Sequence, residues 1–321
     1  MKLVIQIPCY NEAESLPHSI PQLPRQVAGC DEVEWLVVDD GSSDETAAIA
    51  TRLGVDRVVR HPVNRGLAAA FMTGLSAAVA GGADIIVNTD ADNQYDARDI
   101  ETLVQPIVEG RAEIVIGARP IADTEHFSWL KKRLQRLGSW VVRLASNTQV
   151  ADAPSGFRAF TREAAQRLNV FSSYTYTLET IIQAGHSNIR VLSVPVRTNP
   201  DLRPSRLVKS IGRYVWRSAS TIVRIFATYR PLMFFWLIAS FFALLGVGTG
   251  GWYFYHRLIG EGAGHVQSAV LAAAAVTIAL IAFLLGFIAD LVAVNRRLLE
   301  GIDWRVRQLE DARARGASGR G

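Results

Sequence analysis

Two long uncharged runs, Pro231 to Tyr255 and Val266 to Ala289, set the strongest constraint on what this chain can fold into. Each can cross a ~30 Å hydrocarbon core as a helix. Two buried helices in a large soluble protein are the bland alternative. Against it, both runs are apolar on every face and rich in Phe, Leu and Gly. The linker His256 to His265 is short and carries Gly260, Gly262 and Gly264. The runs therefore read as a hairpin with both ends on one side of a membrane.

Basic residues give the side. Arg213, Arg217, Arg224 and Arg230 precede the first run, and Arg296, Arg297, Arg305 and Arg307 follow the second, whereas the linker holds Arg257. The positive-inside rule then places the large N-terminal part and the tail in the cytoplasm. The expectation is a multi-pass protein of the cytoplasmic (inner) membrane. Leu3 to Ile7 is too short for the apolar part of a signal peptide, and Pro8, Asn11 and Glu12 follow at once. The two cysteines, Cys9 and Cys30, lack metal-ligand spacing and are expected to be reduced thiols.

Just before the first run, Arg206, Lys209, Arg213, Arg217 and Arg224 fall on one helical face, with Leu207, Ile211, Val215, Ile222 and Phe226 opposite. A helix with one basic and one apolar face lies in the membrane interface. Each cation near an anionic leaflet adds about 1 kcal/mol.

Residues 1 to about 200 follow another pattern. Leu3-Ile7, Trp35-Val38, Arg57-Val59, Ile85-Val87 and Ile114-Ile116 are short apolar runs, read as strands. Helical stretches lie between them, around 13–27, 44–53, 67–80 and 97–108. Such alternation predicts an α/β domain with a mostly parallel sheet covered by helices. The expected organisation is a cytoplasmic domain at 1–200, a juxtamembrane amphipathic segment at 201–229, two transmembrane helices at 230–295 and a basic tail at 296–321.

The strand ends carry the chemistry. Asp90 and Asp92 follow the run Ile85-Val87, at the sheet edge where ligands bind in open α/β folds. Two carboxylates at this spacing suit a hard divalent cation that also meets phosphate oxygens. Neither a Gly-x-Gly-x-x-Gly fingerprint nor a Gly-x-x-x-x-Gly-Lys-Ser/Thr loop occurs, so hydride transfer and nucleoside-triphosphate hydrolysis lack their signatures. Instead the strand ends offer Tyr10, Glu12, Asp39, Asp40, Asp90 and Asp92. Carboxylates accept from ribose hydroxyls and base N–H groups, an aromatic ring can stack on a base, and a cation offsets a diphosphate. Together they describe a nucleoside-diphosphate site.

Pro8-Cys9-Tyr10-Asn11-Glu12, Asp39-Asp40-Gly41-Ser42, Asn64-Arg65-Gly66, Asp90-Ala91-Asp92 and Ser155-Gly156-Phe157-Arg158 resemble, in this order, the family 2 glycosyltransferases of GT-A fold. Within these, the chain looks like the dolichyl-phosphate mannose synthase branch, the polyprenyl-phosphate glycosyltransferases. The resemblance implies that Pro8, Tyr10, Glu12, Asp39, Asp40 and Arg65 hold the donor nucleotide. It implies that Asp90, Asp92 and Gln94 bind Mg²⁺ or Mn²⁺ with the diphosphate. Arg119 would meet phosphate oxygens, and Asp152, Ser155 and Arg158 would lie on the acceptor-facing loop. Asp92, Asp152, Arg119 and Arg158 would be the catalytic set. Lys132, Arg203 and Arg206 would join Arg119, Ser155 and Arg158 around the acceptor phosphate. Arg203-Pro204-Ser205-Arg206 departs from the family's basic segment, with Arg in place of Lys and Pro in place of Gly.

The acceptor also has a physical argument. An attacking hydroxyl needs a general base, whereas a phosphate monoester, with a second pKa near 6, is already ionised at neutral pH. It needs cations, and Arg and Lys abound between 119 and 224. The leading expectation is an inverting transferase moving a sugar from a nucleoside-diphosphate donor to a polyprenyl phosphate on the cytoplasmic face. Glycosylation of a lipid hydroxyl, with Asp152 or Glu179 as base, stays open, as does a non-catalytic membrane scaffold that kept the fold. A processive polysaccharide synthase lacks its Gln-x-x-Arg-Trp motif, and two spans are too few for a transporter. The bilayer is an expected partner and nucleic acid is not. Homo-oligomerisation, the sugar, the donor base and the prenyl length are left open.

Overall fold

The computed structural model describes residues 1–120, 148–170, 176–199, 226–260 and 262–318, with a few single positions besides. The chain forms two compact units, Met1–Ser218 with Glu300–Gly321, and Ala219–Leu299.

In the first unit, seven strands among the described residues form one sheet. They are β1 (Lys2–Cys9), β2 (Glu32–Asp39), β3 (Arg57–Arg60), β4 (Ile85–Asn88), β5 (Ile114–Ala118), β6 (Arg158–Thr161) and β7 (Val191–Pro195). Their order is β3-β2-β1-β4-β6-β5-β7. β6 runs antiparallel to both neighbours, and the other pairs are parallel. The sheet is mostly parallel, as expected. The expected apolar runs are all strands, while β6 and β7 were not anticipated.

Helices cover both faces, which is why the central strands are apolar on each side. Leu3, Ile5 and Ile7 of β1 pack with Ile100, Leu103 and Val104 of α4 (Ile100–Val108) and with Ala50 of α2 (Thr46–Arg52). The opposite face is covered by α3 (Leu67–Ala80), whose Phe71 meets Phe160 of β6 edge-on at 5.8 Å. α5 (Arg162–Arg167) and α6 (Tyr176–His186) complete the unit. The stretch expected as a helix over 13–27 is only one α turn, α1 (Leu16–Ser19), and one 3-10 turn, Ile20–Gln22. Pro17, Pro21 and Pro24 account for this, because each lacks the N–H that the next turn would need.

The second unit holds α7 (Pro231–Leu258) and α8, which runs from Val266 to Ser318 across the unit boundary. Both are long and apolar enough to cross a membrane. They pack as an antiparallel hairpin at glycine notches. A side chain at Gly246 would press Val276 at 2.8 Å, and one at Gly286 would press Phe235 at 2.9 Å. Leu244 and Val247 stay more than 70% exposed, at 73% and 72%, a surface suited to lipid rather than water. Of the expected amphipathic helix, Ser220, Val223, Arg224 and residues 226–229 are described, and they are helical.

Candidate active site

β1, β2 and β4 are parallel neighbours, so their C-terminal ends open on the same edge. The order places β1 between strands that continue on either side, the arrangement that leaves a ligand crevice. Two loops flank it on the β1–β2 side. Asn11 is left-handed, with φ 54. Its side-chain oxygen accepts from the Ser43 N–H at 2.9 Å, and its own N–H donates to Ser42 Oγ at 2.9 Å. That seam leaves Tyr10 45% exposed at the rim. Glu12 is partly exposed beside it and accepts from the Ser15 hydroxyl at 2.7 Å.

The other expected donor-side residues lie deeper, apart from Arg65. Pro8 is buried within β1. Asp39 is 1% exposed, accepts from the Ser42 N–H at 2.9 Å and pairs with Arg60 at 3.1 Å. Asp40 accepts from the Arg65 and Gly66 N–H groups at 2.9 and 2.8 Å and sits 2.7 Å from His61 Nδ1. Asp39 and Asp40 thus build the loops that frame the crevice. The Arg65 side chain is exposed.

Beyond β4 the backbone carries Asp90 and Asp92 into a tight loop, with Asn93 left-handed at φ 58. Asp92 Oδ1 caps the turn by accepting from the Gln94 N–H at 3.0 Å. Burial, then the charge of Asp92, raises the Asp90 carboxyl to about 7. Arg119 and Arg158 act in the opposite direction without restoring its ordinary value. Asp90, Asp92, Asp152 and Glu12 thus outnumber the guanidiniums of Arg119 and Arg158, an imbalance that a divalent cation would reduce. Among the described residues no group of three or more His, Cys, Asp or Glu could hold a metal alone. Two carboxylates and the Gln94 amide fit an ion that takes its remaining ligands from phosphates and water.

β5 delivers Arg119 to the opposite wall. Its guanidinium donates to Asp152 at 2.7 and 3.2 Å and lies 3.5 Å from Gln94 Oε1. Arg158, expected at the acceptor phosphate, is enclosed in this structure. It is 0% exposed. Its guanidinium donates to the Ser155, Thr177 and Ala153 carbonyls at 2.8, 2.8 and 2.7 Å and to Thr180 Oγ1 at 2.6 Å. Burial pulls it down to about 10, so it is still a cation at neutral pH. It braces the 153–157 loop from inside and lends its charge at short range. Ser155 is likewise 0% exposed, so its hydroxyl faces the interior, 3.4 Å from Tyr95 Oη. Lys132, Arg203 and Arg206 lie outside the described residues.

Two residues went unmarked in the sequence. Asn88, directly under the acidic loop, accepts from Gln6 at 2.9 Å and donates to the Gly156 carbonyl at 2.8 Å and to Tyr176 Oη at 3.0 Å. Tyr176 stacks on Phe71 with centroids 3.9 Å apart. A methyl group at Gly156 would come within 2.9 Å of both Asp90 Oδ2 and Tyr176 Oη, so any side chain there would displace one or both. A polar residue ending an apolar strand was the available signal for Asn88, and Tyr176 offered none.

A mixed sheet with an acid-lined edge of this kind suits the GT-A type of glycosyltransferase, and comparison with known proteins shows that the chain is such an enzyme. It belongs to glycosyl transferase family 2, whose model matches residues 4–168. It is 31% identical to the UDP-N-acetylglucosamine–dolichyl-phosphate N-acetylglucosaminyltransferase of Methanococcus voltae over 60% of this chain and 83% of that one. It is 28% identical to the polyprenol monophosphomannose synthase of Mycolicibacterium smegmatis over 61% of this chain and 76% of that one. Among solved structures it resembles glucosyl-3-phosphoglycerate synthase of Mycobacterium tuberculosis in complex with Mn²⁺ and UDP-glucose. That likeness has a TM-score of 0.54 at 21% identity, over 70% of this chain and 78% of the other, and it is a likeness of fold.

Proposed function

We propose that this glycosyltransferase moves a sugar from a nucleoside-diphosphate donor to the phosphate of a polyprenyl phosphate, with inversion, on the cytoplasmic face of the membrane. The observation that carries the reading is the engagement of Asp152, one of the two carboxylates named above as a possible base: it is bound in a two-point pair with Arg119, and Asp90 and Asp92 are assigned to the cation. A hydroxyl acceptor would need a base held ready for it. An ionised phosphate monoester needs none. Two helices of membrane-crossing length in the same chain supply the lipid setting. Relatives named for dolichyl-phosphate and polyprenol acceptors agree with this, and the two transfer different sugars, so the sugar stays unassigned.

In this reading Tyr10 stacks on the base and Glu12 accepts from the ribose. Asp90, Asp92 and Gln94 hold Mg²⁺ or Mn²⁺, which offsets the charge of the departing diphosphate. Arg119, 18% exposed, turns its guanidinium edge toward Gln94 and the phosphates. Arg158 and Asp40 act from behind, by fixing loops.

The test is to incubate membranes containing the protein with labelled nucleotide sugars and polyprenyl phosphate, with the free prenol as a parallel acceptor. Product released by mild acid, formed from the phosphate alone, is expected for a phosphodiester-linked sugar. Acid-stable product, or equal use of the prenol, would move the reading to a hydroxyl acceptor.

A further inference from the structure

Beyond the acidic loop, one residue that no motif marks holds three successive carbonyls, two by its side chain and one by its backbone N–H. The chain leaves β7 at Pro195 and returns along the 93–96 loop, with Thr198 bridged to Tyr95 in antiparallel fashion. There the Asn199 N–H donates to the Gln94 carbonyl at 2.9 Å. Its side-chain amide donates to the Asn93 carbonyl at 3.0 Å and the Tyr95 carbonyl at 3.3 Å. Two carbonyl acceptors around one amide require that its nitrogen face the loop.

The neighbouring residue fastens the same stretch. The Arg197 N–H donates to Asp99 at 2.6 Å, and its carbonyl accepts from the Asp96 N–H at 3.3 Å. Its guanidinium pairs with Asp99 and stands 3.7 Å from Asp96. That side chain is 57% exposed, so the ion pair adds little by itself. The partly buried amide of Asn199 bears on the left-handed turn at Asn93, between Asp92 and Gln94.

We infer that Asn199 is a positioning residue for the metal-binding loop. It fixes the carbonyls of residues 93–95, so that Asp92 and Gln94 present their oxygens to the cation before it arrives. This rests on the metal role proposed above for Asp90 and Asp92. The loop would otherwise have to be ordered on binding, at a cost in affinity.

The experiment uses the full chain in detergent and needs no turnover. Mn²⁺ is titrated and followed by the paramagnetic resonance signal of the free ion, for wild type, Asn199→Ala and Asp92→Asn. Hydrogen exchange of peptides covering 89–99 is measured without metal. Asn199→Ala should weaken Mn²⁺ binding about tenfold, speed exchange across 89–99 and leave the melting temperature nearly unchanged. Unaltered Mn²⁺ affinity in Asn199→Ala, with binding lost in Asp92→Asn, would overturn this inference and leave the metal reading standing. Wild-type affinity in Asp92→Asn would overturn the metal reading and this inference with it. Weaker binding in step with a general loss of melting would assign Asn199 to the fold instead. Should the alanine variant fail to fold, Asn199→Ser is read by the same outcomes.

Discussion

Arg119 and Asp152 come from opposite ends of a long excursion between β5 and β6, yet they meet in a two-point ion pair of 2.7 and 3.2 Å. Asp152 is 1% exposed. Removing the cation would leave the buried carboxylate with the Arg119 backbone N–H, at 3.3 Å, and the nearby charge of Arg158; breaking a buried pair costs up to about 3–5 kcal/mol. Arg119→Gln should therefore lower stability by that order in urea unfolding, as well as reduce activity. Asp152→Asn, which keeps an acceptor, should be milder in both. Arg119→Gln with unchanged unfolding would show that the pair contributes nothing to the fold.

Gly156 tests the seating of Asp90. Alanine there would press Asp90 Oδ2 and Tyr176 Oη, both 2.9 Å from the new methyl group. A displacement approaching 1 Å at a reacting site can cost about 10²-fold in rate. Gly156→Ala should lose activity on that scale while melting within a few degrees of wild type, as read by calorimetry. Near-normal turnover would mean that Asp90 has room to give.

The Asp90 carboxyl, raised to about 7 by burial and then by Asp92, makes metal binding pH-dependent. Its folded value lies above the ordinary aspartate value of 3.8. Its contribution to the stability of the metal-free protein is thus fully present below 3.8 and is lost as pH rises through about 7. A cation requires the ionised form, so its affinity should climb through the same window and its binding should release a proton. Calorimetric titration with Mn²⁺ at pH 6, in buffers of different ionisation heat, should show release approaching one proton, fading by pH 8. Zero release at pH 6 would mean an Asp90 already ionised.

Orientation is tested by labelling. A cysteine at Gly262 should react with an impermeant thiol reagent applied outside intact cells, and one at Ser318 should react only after permeabilisation. The reverse pattern would put the nucleotide site on the wrong side for a cytosolic donor.

The strand-and-helix alternation was legible because β1, β2, β4 and β5 are short apolar runs broken by turn residues. β6 was not, since it starts with Arg158, a charge that reads as surface although its side chain is fully enclosed. β7 is only partly buried and ends in Pro195, so its pattern is weak. The same limit applied to the site. Acidic strand ends pointed to the edge where the crevice opens, but loop hydrogen bonds decide which acids face it, and those partners lie far away in sequence. Asp40 is bound by His61, Arg65 and Gly66, and Arg158 by carbonyls up to Thr177. Charge alone could not separate a residue that touches a ligand from one that holds a loop.

The reversed strand β6 has a consequence for how such an enzyme can change. It pairs Arg158 with Asn88 on one side and with Ile116 on the other, so both strands beside it keep a fixed register. The ends of the intervening stretch are pinned, by Arg119 on Asp152 and by the Gly117 N–H on the Phe157 carbonyl at 2.9 Å. Changes between those pinned ends then need not disturb the register of β4, β5 and β6, while the loops after β1, β2 and β4 stay as they are. Under the proposed function, acceptor-side and donor-side residues can change separately.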